Sequence, residues 1–194
     1  MKKKMQNRSG FAAVIGAPNA GKSTLTNALV GEKVSIVTHK VQTTRFQIRG
    51  IAMLTGSDGS QAQIVLVDTP GIFSHKESDR LSKSMVHAAW TGVNNSEVIL
   101  HVVDAPAYHR CLMNDGTSQD RLSVDDTIRV SNGLKRIQNK KIFLILNKID
   151  ELAHDLTLSL IEKFRLLNVY NEIFIVSALN MDGIKKLSEY VADL

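Results

Sequence analysis

A three-layer α/β fold is predicted here, with a mostly parallel six-stranded sheet, one antiparallel strand and helices on both faces. Three features point to it. Apolar runs of strand length alternate with amphipathic stretches of helix length along the whole chain. Several runs are nearly continuous Val/Ile/Leu, the pattern of strands buried on both faces of a parallel sheet. One pair of runs is joined by a short, turn-rich segment, which suits an antiparallel hairpin. The other connections are long enough for helical crossovers.

In chain order, the predicted strands are FAAVI (11–15), RFQIRGIAML (45–54), QIVLVD (63–68), VILHVVD (98–104), KIFLILN (141–147) and EIFIVSA (172–178). The segment TGSDGS (55–60) forms the hairpin turn. Helices are predicted over 22–31, 78–92, 120–139, 155–168 and 182–193. The polar, unpatterned stretch APAYHRCLMNDGTSQDRLSVDD (105–126) reads as a long surface loop leading into a helix. No internal repeat is found. The 194 residues suit a basic tail over 1–10 and one domain over 11–194.

Composition narrows the function classes. Apolar residues make up 43% and aromatics 5%, which fits a globular chain rather than a disordered one. Cys111 is the single cysteine, so no internal disulfide forms, and a cytoplasmic setting is expected. No run approaches the roughly 18 apolar residues of a membrane span. The basic start is followed by too short an apolar run, about five residues, for a signal peptide. The net charge of +5 arises partly from Lys2, Lys3 and Lys4, ordinarily a solvated terminus. By itself it points only weakly to nucleic acid or an anionic membrane. The six histidines show no metal-ligand spacing, and Trp90 reads as a packing residue.

Chemistry enters at GAPNAGKS (16–23), which matches G-x-x-x-x-G-K-[ST] after a predicted strand and before a predicted helix. Gly16 and Gly21 let the backbone turn so that its N–H groups converge on phosphate oxygens, and the following helix adds its positive end. Lys22 supplies a cation for the β- and γ-phosphates, and the Ser23 hydroxyl a ligand for Mg²⁺. A plain strand-to-helix turn would explain the glycines but not the Lys-Ser pair. The candidate phosphate contacts are therefore Gly16, Ala17, Pro18, Asn19, Ala20, Gly21, Lys22, Ser23 and Thr24.

Three more motifs end predicted strands, where α/β ligand sites form. DTPG comprises Asp68, Thr69, Pro70 and Gly71. Asp68 can hold the Mg²⁺ water shell, and the Gly71 N–H can meet a γ-phosphate; an ordinary turn is the alternative. In NKID (147–150), the Asp150 carboxylate offers two acceptors that match guanine N1–H and N2–H₂, whereas adenine has no such donor pair. Asn147 can tie this loop back to the phosphate loop, and the Lys148 stem can lie over a base. In SAL, formed by Ser177, Ala178 and Leu179, the Ala178 N–H is expected to meet guanine O6.

This order of motifs resembles the translation-factor class of GTPases. The stretch GAPNAGKSTLTNALVGEKVSIVTHKVQTTRFQIRGI (16–51) is similar to the Era family within it, and the resemblance runs to about Leu194. The KVSIVTHKVQTTR segment favours Era over the TrmE-like and Der-like relatives, which act in tRNA modification or large-subunit assembly. The resemblance implies a P-loop GTPase fold over 11–194 and hydrolysis of GTP to GDP with Mg²⁺. It also implies a switch threonine on the metal, Thr43 or Thr44, with Thr44 preferred. The metal ligands are then Ser23, Thr44 and Asp68, and the catalytic set is Lys22, Thr44, Gly71 and Asn19. The implied partners are small-subunit rRNA and the 30S subunit, reached through a C-terminal KH domain; no GXXG loop, the signature of that domain, follows the last predicted helix. The chain is expected to be a cytoplasmic monomer, with peripheral association at the inner membrane left open.

Two features bear on mechanism. Ras-like enzymes orient water with a Gln after D-x-x-G, but here that position is Ile72. Slow turnover is expected, about 10⁻⁴ to 10⁻² per second. A module that holds guanine nucleotide without hydrolysing it is the alternative, and an ATP-dependent kinase is disfavoured by NKID. Asn19 can place its side-chain carbonyl on a monovalent cation such as K⁺ beside the phosphates, or simply cap the loop.

Overall fold

The computed structural model describes residues 8–31, 48–68 and 80–194. Its strands are β1 (Arg8–Gly16), β2 (Ile48–Thr55), β3 (Gln61–Asp68), β4 (Val98–Asp104), β5 (Lys141–Asn147) and β6 (Glu172–Ile175). Its helices are α1 (Lys22–Val30), α2 (Arg80–Asn94), α3 (Ala105–Leu112), α4 (Ser118–Leu134), α5 (His154–Arg165) and α6 (Ile184–Ala192), with a 3₁₀ turn at Ile149–Glu151. The strand order is β2-β3-β1-β4-β5-β6. Among these pairings only β2–β3 is antiparallel. The predicted mostly parallel sheet with one antiparallel strand is thus observed.

The central strands are apolar on both faces because helices cover both. Ala12 and Val14 of β1 face Leu25 and Leu29 of α1 and Leu187 and Val191 of α6. Ala13 and Ile15 face Ala89 and Val93 of α2 and Val130 and Leu134 of α4. Around β4 and β5, Val103, Leu144 and Leu146 pack with Tyr108 of α3 and Leu160 and Phe164 of α5. Trp90 lies in this second layer against Gly133, where an added Cβ would meet its ring at 2.3 Å, so it is a packing residue.

The segment 105–126 departs from its predicted loop. It folds into α3, a short turn and the first half of α4. Side-chain caps, rather than apolar periodicity, form these helices. The Asp104 side chain accepts the Ala107 N–H at 2.9 Å, with Pro106 in the first turn. Thr117 and Asp120 make a reciprocal capping box at the start of α4. Arg110 then grips Asp120 with two bonds of 2.7 and 3.0 Å, joining the two helices.

Asp120 is buried, and its hydrogen bonds from Arg110 hold its carboxyl well below the usual carboxylate range. Above the ordinary unfolded-state value of about 3.9, this pairing contributes fully to stability. As pH falls below that value, the unfolded chain takes up the proton first. The contribution then drains away towards the lower folded-state value. Asp120→Asn is expected to cost about 1–2 kcal/mol at neutral pH and to flatten the acid limb of the stability curve, as read by urea unfolding at pH 7 and pH 3.5.

At the opposite end of the chain, Asp193 follows α6 and accepts the Ser57 N–H with both oxygens, at 3.0 and 3.2 Å. An added Cβ on Gly56 would lie 2.2 Å from the same carboxylate, so a larger residue there would have to push the Asp193 side chain aside.

Candidate nucleotide site

The carboxyl ends of the parallel strands meet along one edge. Val14 stands opposite Asp68, Gly16 opposite Val102, and Asp104 opposite Asn147. The loop from Gly16 to Gly21 crosses this edge between β1 and α1. Gly16 presses against β4 so closely that a Cβ would lie 2.2 Å from the Val102 carbonyl oxygen. Gly21, at φ 93°, caps α1 and brings no side-chain acceptor to its first turn, which leaves that work to the backbone and to whatever sits in front of it. Asn19 takes the left-handed conformation at φ 60° and is exposed. Lys22 curls back over the loop, its Nζ donating to the Ala17 and Gly16 carbonyls at 2.7 and 3.1 Å. Ala17 and Ala20 are buried, Pro18 is half-buried, and Ser23 and Thr24 are exposed in the first turn of α1.

Asn147 joins this loop to the other two motifs. It is buried, its Nδ2 donates to the Ala20 carbonyl at 2.9 Å, and its Oδ1 accepts the Ala178 N–H at 3.0 Å. The Gly21 position is what admits it, because a Cβ there would come within 2.2 Å of Nδ2. In this structure the Ala178 N–H, expected from sequence to meet a base oxygen, is directed at Asn147. Next to it, the Ile149 N–H reaches the Val176 carbonyl at 3.3 Å. Asp150 is exposed in the 3₁₀ turn. Ser177 and Ala178 are buried, and Leu179 is 77% exposed beside them. β6 stops at Ile175, short of the predicted 178, because Ser177 turns to pair with Asp182 instead.

Asp68 ends β3 at this edge. Thr69, Pro70, Gly71 and Ile72, with Thr43, Thr44 and Arg45, lie outside the described residues.

Two residues at the site were missed by the motif reading. Asp104 pairs with the Lys148 ammonium at 2.5 Å. Its sequence signal was present: an acidic residue ending a strand with proline two positions on is a helix-cap pattern. His101 stands opposite Ile15 in the β1–β4 register, fully buried, with Nδ1 2.9 Å from the Tyr170 hydroxyl, which in turn lies 2.8 Å from Ser131 Oγ. Burial, and after it the charge of Lys22, pushes His101 down to about 3. The ring is therefore neutral at physiological pH.

The fold and this edge define a P-loop protein of the GTPase superfamily. The chain belongs to the family described as "50S ribosome-binding GTPase", which matches residues 11–148. Within that superfamily the chain is similar to Era. GTPase Era of Maricaulis maris is 51% identical over 187 residues, 96% of this chain and 57% of that protein. The chain thus spans a little over half the length of that relative. Among solved structures, a variant of Aquifex aeolicus Era bound to GDP·AlF₄⁻ matches with TM-score 0.69 and 31% identity, over 96% of this chain and 56% of that one. Era in complex with MgGDPNP and nucleotides 1506–1542 of 16S ribosomal RNA matches with TM-score 0.68 and 30% identity, over 97% and 57%.

Proposed function

We propose that this chain binds guanine nucleotide with Mg²⁺ and hydrolyses GTP to GDP as a slow switch, in the manner of the GTPase part of Era. The observation that supports it most is the Asn147 seam, which brings the phosphate loop, NKID and SAL within one hydrogen-bonded unit. Phosphate binding falls to the loop from Gly16 to Thr24, with Lys22 as its cation. Base selection falls to Asp150, with the Lys148 stem and Leu179 flanking the base. The site suits a magnesium nucleotide chemically: no Cβ intrudes at Gly16 or Gly21, and Ser23, Thr44 and Asp68 are the oxygen ligands such a cation prefers. When bound, the ion neutralises charge building between the β- and γ-phosphates. Gly71 and Thr44 complete the reading as groups that meet the γ-phosphate. With Ile72 in place of the usual Gln, water must be positioned by backbone groups, an ion or a partner.

The partner class carried over from the Era–rRNA complex is small-subunit rRNA and the 30S subunit. A cytoplasmic monomer, with any membrane contact peripheral and made by the basic tail, completes the proposal. Competition of GDP against ADP, followed by single-turnover hydrolysis of GTP, tests it. A chain that holds both nucleotides equally, or holds GTP unchanged for hours, overturns the corresponding half.

K⁺ belongs to the same proposal. Asn19 is exposed in the loop, in a left-handed conformation at φ 60°. Its amide oxygen is a ligand suited to a monovalent cation beside the bridging oxygen. GTP turnover is expected to be severalfold faster in K⁺ than in Na⁺ at equal ionic strength, an advantage lost in Asn19→Ala; equal rates in both salts overturn the cation role.

A further inference from the structure

We infer that Asp104 is a positioning residue for base recognition, holding the Lys148 ammonium so that the lysine stem is aimed before the base arrives. The inference rests on the guanine-nucleotide reading above. The loop carrying Lys148 is pinned on both sides through its neighbours, by Asn147 to Ala20 and Ala178 and by the Ile149 N–H to Val176. Lys148 itself takes the left-handed conformation at φ 65°. Its backbone is therefore fixed, while its side chain carries four rotatable bonds. A stem that must lie flat on a base has to surrender that freedom, and a lysine has more of it to lose than almost any other residue. The pair with Asp104, Nζ to Oδ2 at 2.5 Å, removes it in advance.

Asp104 is suited to this because it is itself immobile. It stands opposite Asn147 in the β4–β5 register, and its other oxygen, Oδ1, accepts the Ala107 N–H at 2.9 Å. Rotating the carboxylate away from Lys148 would uncap α3. Its side chain is only 11% exposed and that of Lys148 31%, so the pair is partly shielded from the water and salt that weaken surface ion pairs. One carboxylate thus links the helix that follows β4 to the loop that follows β5.

The competing explanation is that Asp104 only caps α3. Asparagine caps a helix about as well as aspartate but forms no ion pair with an ammonium, so Asp104→Asn separates the two roles. The experiment is stopped-flow release of a fluorescent GDP analogue from the parent chain, Asp104→Asn, Lys148→Met and the double variant, with thermal unfolding of each. Asp104→Asn is expected to speed release about five- to tenfold with little change in unfolding temperature. In the Lys148→Met background, the same change is expected to alter release less than about twofold. Lys148→Met alone leaves the α3 cap intact and is expected to speed release to a similar degree, which tests the pairing without touching α3. Parental release from Asp104→Asn or from Lys148→Met, or equal acceleration by Asp104→Asn in both backgrounds, overturns the inference. A parent that holds ADP as tightly as GDP overturns the guanine reading, and this inference with it. A guanine-selective parent whose release is indifferent to Asp104→Asn overturns this inference alone.

Discussion

Asp150→Asn is expected to weaken GDP binding by roughly 2–4 kcal/mol and to shift preference towards xanthine nucleotides. Asparagine replaces one of two acceptors with a donor. Facing guanine, that donor meets the N1–H or N2–H₂ group, so one bond is lost and two donors are set against each other. Xanthine carries an oxygen where guanine carries N2, and the new donor finds a partner there. The position is exposed at the start of a 3₁₀ turn, and no side-chain packing depends on it, so folding should be unaffected. Calorimetric titration with GDP and XDP reads the switch directly. A variant that binds GDP as tightly as the parent would remove Asp150 from base selection.

Asn147→Ala is expected to be the more damaging change, because it acts on fold and site together. The side chain is 2% exposed and makes two bonds, to the Ala20 carbonyl and the Ala178 N–H. Truncation leaves a buried acceptor and a buried donor without partners, at about 1–3 kcal/mol each. Stability should fall by about 2–5 kcal/mol in denaturant unfolding. Nucleotide affinity should fall further, since the phosphate and base loops lose the tie that sets their spacing. Asn147→Asp keeps an acceptor for Ala178 but places a carboxylate against the Ala20 carbonyl, so it should rescue little. Wild-type stability in Asn147→Ala would show that the seam is incidental.

The sheet was legible because its central strands announce themselves. β4 and β5 match the predicted 98–104 and 141–147 to the residue, since strands buried on both faces must be apolar throughout. The edges were less legible. β1 begins at Arg8, three residues before the apolar run, because its polar start still pairs with Ala62 of β3. The long misreading over 105–126 has a different cause. α4 buries Asp120, Ser123, Asp126, Thr127 and Ser131 along with Val130 and Leu134, so its inward face is largely polar and shows no helical stripe. Its start is instead written in Thr117 and Asp120, where aspartate stands in for the usual Glu or Gln of a capping box. At the site, the motifs gave the residues but not their partners. Sequence spacing cannot reveal that the Ala178 N–H turns to Asn147, or that the Lys148 ammonium is held from β4, because both contacts depend on which strands are neighbours.

The last helix strings the sheet from side to side. It follows β6, at one border of the strand order, and reaches β2 and β3 at the other. Its final bond, from the Ser57 amide to Asp193, spans 136 residues of sequence. During synthesis from the N-terminus, the β2–β3 turn is made early and waits for 136 further residues before its partner exists. Until then its register rests on strand pairing alone. Contacts of such long sequence separation close late and slowly, since the intervening chain must already be ordered for them to form. The Ser57–Asp193 contact should therefore form only with the last cooperative step of refolding, after the amides of β4 and β5 are already shielded from hydrogen exchange.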